Sequence, residues 1–164
     1  MCSSDLADDQ FESVTQQFPG LRVVIALDLP KVKRRLLEHY GASVIGLRST
    51  DAYVSSRATT GDGCVLQRGV KVMANARLGR VCKLNINATV HHDVTVGDFC
   101  TLAPGSLLLG NVAVGEGTYV GAGAIVRQRV RIGNGAFIGA GAVVVRDVPD
   151  GATVVGVPAD RRLK

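Results

Sequence analysis

From Tyr53 to Val148 the hydrophobic and polar positions repeat every six residues, in blocks such as KLNINA, TVHHDV, TVGDFC and TLAPGS. The second place of each block is aliphatic at every block except that of Thr60, from Val54 and Leu66 through Leu84, Val90 and Leu102 to Val144. The last place is always Ala, Val, Cys, Ser or Thr. A helix repeats its apolar residues at 3.6 and a strand at 2, so a period of six with one large and one small inward residue requires another arrangement. It predicts a solenoid of short strands and tight corners, with three sides to a coil of eighteen residues. The third place is often glycine, as at Gly61, Gly79, Gly97, Gly115, Gly121, Gly133 and Gly139, which is expected to serve corners that need positive φ.

Cys64, Cys82 and Cys100 are spaced by eighteen and therefore stack on one edge, a column that Thr118 and Ala136 continue. Such a ladder is either a metal or redox site or a row of small inward residues. Parallel side chains favour the second reading, with free thiols. None of the four cysteines falls in a CxxC pair.

Residues 1–46 carry a different pattern. Phe11, Val14 and Phe18 have helical spacing that ends at Pro19-Gly20. LRVVIAL, 21–27, is a continuous apolar run suited to a buried parallel strand. Asp28 is placed to cap a helix over PKVKRRLLEHY that stops at Gly41, and GASVIGL suggests a further strand. The chain thus divides into a partial α/β segment, 1–46, and a mainly β solenoid domain, 47–164, of about five coils.

Composition narrows the partners. The chain has no run of eighteen apolar residues and opens on acidic rather than basic residues, which predicts a cytoplasmic protein without a membrane span. The net charge is +5, but three Tyr, four Phe and no Trp leave little for base stacking, and no nucleic-acid motif occurs. A phosphorylated small molecule is the expected anionic partner.

The block TVHHDV interrupts the lattice with His91, His92 and Asp93 at a corner where other blocks carry glycine or small polar residues. An exposed histidine usually does nothing. Yet the chain has three histidines in all, and two of them sit here beside a carboxylate. Departures from a local rule are where function is expected. An imidazole with an ordinary pKa near neutrality is suited to taking a proton, and a neighbouring carboxylate to orienting the ring.

The hexad pattern over 47–160 resembles the left-handed β-helix of the hexapeptide-repeat acyltransferases, and the resemblance supplies the handedness. VVIALDLPKVKRRLLEHY, DAYVSSRA, VHHDV and the closing GVPA are similar to one subgroup, the sialic acid O-acetyltransferase and UDP-4-amino-sugar N-acetyltransferase family. That family's α/β domain opens with a strand and a glycine-rich phosphate loop, which the residues before Leu21 do not supply, so the segment reads as a shortened version. The resemblance implies an acetyl-coenzyme A dependent transferase acting on an amino sugar or nucleotide sugar, with no metal, assembled as a homotrimer with clefts between subunits. It implies His92 as the general base and Asp93 as its orienting acid. Gly110, one coil on, is implied as the backbone donor to the thioester oxygen, beside the pantetheine. Asn85, Ala122 and Ala140 match further cofactor-binding positions, and each is equally a plain corner residue. His91 is a substrate contact or a solvated side chain, and Arg127–Arg131 a coenzyme A phosphate contact or a set of solvated corners. Three alternatives remain on the same scaffold. O-acetylation of a sugar such as sialic acid is one, and a catalytically inactive trimeric assembly module is another. A γ-type carbonic anhydrase is the third, and it needs three histidines where the prism has two.

Overall fold

In the computed structural model, which describes residues 11–18 and 20–162, the chain coils into a triangular prism. The first of its three sheets stacks Leu47–Arg48, Val65–Leu66, Lys83–Leu84, Thr101–Leu102, Tyr119–Val120, Phe137–Ile138 and Thr153–Val155. A second sheet runs from Tyr53–Val54 to Val143–Val144, and a third from Thr59–Thr60 to Arg131–Ile132. Up to Val144 every parallel pairing in the prism joins residues eighteen apart, as Thr89 with Leu107 and Leu107 with Ile125. The last coil is two residues shorter, pairing Ile132 with Val148 and Phe137 with Thr153. About six turns result, one more than the hexads predict, because strands at both ends extend the first sheet.

The inward second-place residues from Leu66 to Val144 are all buried. Each contributes roughly 1.5–3 kcal/mol by leaving water. Val54 and Thr60 have no coil beneath them and stay partly or largely exposed, which is why a threonine is tolerated in that column.

The corners correct one expectation. Positive φ falls on the fifth place of the hexad, at Gly69, Gly105 and Gly123 and also at Asn75, Asp93 and Asn111, and the third-place glycines lack it. Those glycines answer a different need. Neighbouring coils stack at the roughly 4.8 Å spacing of paired strands. A Cβ at Gly97 would come within 2.7 Å of Glu116 N, and one at Gly115 within 2.5 Å of Asn134 N.

The cysteine column is buried and its thiols are free. Each thiol donates to a carbonyl near the neighbouring coil, Cys64 to Gly79, Cys82 to Gly97 and Cys100 to Gly115, all at 3.1 Å. Thr118 continues the series to Gly133 at 2.7 Å. A small side chain with a donor is therefore what the slot takes. The sulfur bonding and burial hold the Cys82 thiol well above its ordinary value, at about 12.

Helix α1 spans Phe11–Gln17, as the spacing predicts, and Gly20 follows with φ 97, Pro19 lying outside the described residues. The run 21–27 is not a buried strand. It makes a single parallel bridge, Val23 to Val44; Ile25 is buried, while Val24 and Leu27 are exposed. Helix α2 spans Pro30–Tyr40 and ends at Gly41 with φ 47. Its N-cap is Leu29 without a side-chain bond; Asp28 lies one residue too early and instead accepts from Lys83 Nζ at 3.0 Å.

What fastens α2 to the prism is a lysine the sequence does not single out. Lys33 is fully buried, and its Nζ donates to Phe99 O at 3.2 Å, Cys100 O at 2.9 Å and Thr101 Oγ1 at 2.9 Å. Arg34 pairs with Glu116 and lies over the Phe99 ring. Val81 and Phe99, in left-handed backbone at φ 52 and 60, bury their side chains against Ile25 and Val44. A β-branched residue there is strained, and the packing of this segment compensates for it.

Beyond the last coil, residues 156–159 turn back along the edge of Val143–Val144. Val143 N donates to Gly156 O and Ala159 N to Val143 O, which closes a strand edge that otherwise invites pairing.

Candidate active site

The predicted residues occupy two different corners of the prism. His91, His92 and Asp93, with Gly110 one coil on, lie where the second sheet turns into the third. Asn85, Ala122 and Ala140 lie where the first sheet turns into the second. Within one chain the structure brings together the first set; in the second it stacks Ala122 on Ala140, with Asn85 in the adjoining column at the same corner.

Asp93 takes the left-handed position of its hexad, φ 57, and its N–H donates to Ala74 O of the preceding coil. That backbone turns the carboxylate toward the histidine before it, so Asp93 Oδ2 lies 2.8 Å from His92 Nδ1. Asn75 Nδ2 donates to Asp93 Oδ1 at 2.9 Å. The Asn75 amide, and after it the His92 ring, hold the Asp93 carboxyl below the ordinary carboxylate range. An ionised carboxylate on Nδ1 keeps the proton there and leaves Nε2 as the acceptor. Nε2 has no partner among the described residues.

Gly110 sits against the ring. A Cβ at this position would come 2.7 Å from His92 Cε1 and 2.8 Å from Nε2, so any side chain displaces the imidazole. The Gly110 carbonyl accepts from Arg129 N at 3.1 Å, whereas its N–H donates to no acceptor among the described residues. A proton acceptor and an unengaged backbone donor thus lie side by side. This is the pair that attack on a carbonyl requires, one to take the nucleophile's proton and one to receive the oxyanion. They line a cleft of about 220 Å³ with His91, Leu109, Asn111, Gln128 and Arg129. The His91 ring stands edge-on to His92 at 4.6 Å, and its buried Nδ1 has no partner among the described residues.

At the other corner the N–H groups of Ala122 and Ala140 are likewise unengaged among the described residues. Asn85 Nδ2 donates to Leu102 O at 3.1 Å. Arg129 belongs to the histidine corner, and its basic neighbours Arg127 and Arg131 flank it in sequence. Sequence reasoning missed Asn75 and Arg57. The signal was the same eighteen-residue spacing that places Gly110, read backwards from Asp93. Among the described residues no three His, Cys, Asp or Glu side chains cluster as a metal site needs, and no helix is long and apolar enough to cross a membrane.

Residues 111–146 match the model of the bacterial transferase hexapeptide (six repeats). Among solved structures, the acetyltransferase domain of PglB from Neisseria gonorrhoeae, in complex with acetyl coenzyme A, is 34% identical. The match covers 90% of this chain and 75% of that one with a TM-score of 0.85. A point variant of GDP-perosamine N-acetyltransferase from Caulobacter crescentus, in complex with CoA and GDP-perosamine, is 31% identical over 92% and 73% of the two chains, TM-score 0.86. WeeI from Acinetobacter baumannii is 35% identical over 87% and 70%, TM-score 0.82. A comparison with curated proteins returns no match. The chain belongs to the left-handed β-helix, hexapeptide-repeat acetyltransferases.

Proposed function

We propose that the protein transfers the acetyl group of acetyl-coenzyme A to the amine of a nucleotide-linked amino sugar. The observation that carries this reading is the His92 Nε2 acceptor beside the unengaged Gly110 N–H, with Asp93 holding the far side of the ring. The likeness to acetyltransferases whose structures contain acetyl coenzyme A, or CoA with GDP-perosamine, supports the two substrates.

In this reaction the amine nitrogen attacks the thioester carbon while His92 Nε2 takes its proton. Negative charge gathers on the thioester oxygen, facing Gly110 N–H, and collapses as the carbon–sulfur bond breaks. The imidazolium then returns the proton to the departing thiolate. Asp93 stabilises the imidazolium in between. No side chain need carry the acetyl group, and the described cysteines are buried in the prism, each thiol donating to a backbone carbonyl.

The second corner enters through assembly. In a homotrimer of prisms, the His92 corner of one subunit faces the Asn85, Ala122 and Ala140 corner of the next, whose free N–H groups receive the amide-bearing pantetheine arm. His91, which lines the same cleft, offers a contact to the sugar.

The test is release of coenzyme A from acetyl-coenzyme A over UDP-, dTDP- and GDP-4-amino sugars and free sialic acid, for the wild type and His92→Ala. One amino sugar is expected to react, with the variant slower by about 10²–10⁴-fold, the range for a lost general base. Full activity in His92→Ala removes the assigned base. Reaction of sialic acid alone turns the reading to O-acetylation.

A further inference from the structure

Three side chains stacked at eighteen-residue intervals lead into the base. Arg57 Nε donates to Asn75 Oδ1 at 3.2 Å, Asn75 Nδ2 donates to Asp93 Oδ1 at 2.9 Å, and Asp93 Oδ2 meets His92 Nδ1 at 2.8 Å. Asn75 and Asp93 share the left-handed backbone, φ 60 and 57, which Asn and Asp tolerate better than other side-chain-bearing residues. Because successive coils repeat this shape, the amide of one lies in register with the carboxylate of the next.

We propose that Asn75 is a positioning residue for His92, acting through Asp93, and that Arg57 determines which end of the Asn75 amide faces the carboxylate. The proposal rests on the reading of His92 as the general base. The reasoning begins from exposure. The side chains of His92 and Asp93 are 49% and 44% accessible, so a single hydrogen bond between them is a weak constraint in water. Exposed side chains change rotamer on the picosecond to nanosecond scale. A second bond on the other carboxylate oxygen narrows that freedom, since the carboxyl plane is then held at both ends. The Asn75 amide cannot serve in the reversed orientation. Arg57 Nε only donates, so Asn75 Oδ1 faces Arg57 and Nδ2 faces Asp93. The lowered Asp93 pKa, caused first by Asn75, agrees with a carboxylate that stays ionised and keeps the Nδ1 proton in place.

Two variants separate positioning from structure. Asn75→Gly removes the amide and leaves a residue free to take positive φ. Asn75→Asp keeps shape and backbone but turns an acceptor toward Asp93. We expect kcat to fall about tenfold in Asn75→Gly and at least as far in Asn75→Asp, as expected for a displaced reacting group. KM for both substrates should stay near wild type, with unchanged thermal midpoints. In substrate-free protein, long-range ¹H–¹⁵N spectra should show the Nδ1–H tautomer of His92 in the wild type and a mixture in Asn75→Gly. Loss of activity in His92→Ala, with wild-type kcat and an unchanged His92 spectrum in both Asn75 variants, overturns the proposal. Full activity in His92→Ala overturns the base assignment instead, and an unchanged His92 spectrum in Asn75→Gly would then overturn the positioning role as well.

Discussion

Gly110 is defined by its neighbour rather than by its own backbone. It lacks positive φ, so alanine is allowed locally, but the added Cβ would lie 2.7–2.8 Å from the His92 ring. The ring is half exposed and free to swing away, so Gly110→Ala should keep its thermal midpoint and lose about a hundredfold in kcat/KM, the scale of an ångström-sized misplacement. Wild-type turnover in this variant, measured by coenzyme A release, would show that the packing of ring on glycine is incidental. The pair was legible from the chain because a period of eighteen places residue 110 above residue 92. Asn75 obeys the same arithmetic and went unread, because a corner asparagine is also what a left-handed turn prefers for local reasons.

At the scale of elements, the attachment of α2 turns on the buried Lys33 ammonium. Burial lowers its pKa below the ordinary 10.5, although Phe99 O, Cys100 O and Thr101 Oγ1 all accept from it. Between the folded value and 10.5 the unfolded chain binds the extra proton, so this group makes the fold more stable as pH rises through that window. Lys33→Met keeps the buried stem and removes the ionisation. Urea unfolding of both proteins from pH 7 to 10 should show the wild type gaining on the variant as pH increases. Cys64 and Cys82, whose raised thiols slope the other way, are present in both proteins; a flat difference would remove the shift assigned to Lys33, and one that falls as pH rises would reverse its sign. This segment is also where the sequence misleads. A continuous apolar run such as LRVVIAL suits a buried strand, but strand partners come from other parts of the chain. Among the described residues only Val44 supplies one. Asp28 fails as a cap for a similar reason, since Lys83 claims its carboxylate across fifty-five residues.

On the scale of the whole molecule, the two candidate half-sites sit on separate corners, so the proposed trimer would make each cleft from two chains. His92→Ala and Ala122→Trp should each be inactive alone, the first lacking its base and the second blocking the pantetheine side. Co-expressed and co-purified, they should regain a fraction of wild-type activity, because some clefts then pair an intact His92 corner with an intact Ala122 corner. Activity no higher than in either parent, in mixed assemblies confirmed by mass, would place the whole site within one subunit. The regular lattice makes this geometry firm: each inner rung is held by pairings on both sides, and from Leu66 to Val144 no inward second-place residue is left exposed.

By itself the sequence determined the solenoid, its coil length, the inward residues and the stacking of His92, Asp93 and Gly110, because each follows from one short period propagated along the chain. Local chemistry sufficed for these. Only the tertiary structure decided which corner glycines bear positive φ and which merely avoid the next coil, how the last coil loses two residues, and where residues 21–46 dock. It also decided that Asp93 is gripped from both sides, through Asn75 as well as His92. Those features depend on atoms brought together from neighbouring coils or from the packed helix, and such contacts are written in no single stretch of the chain.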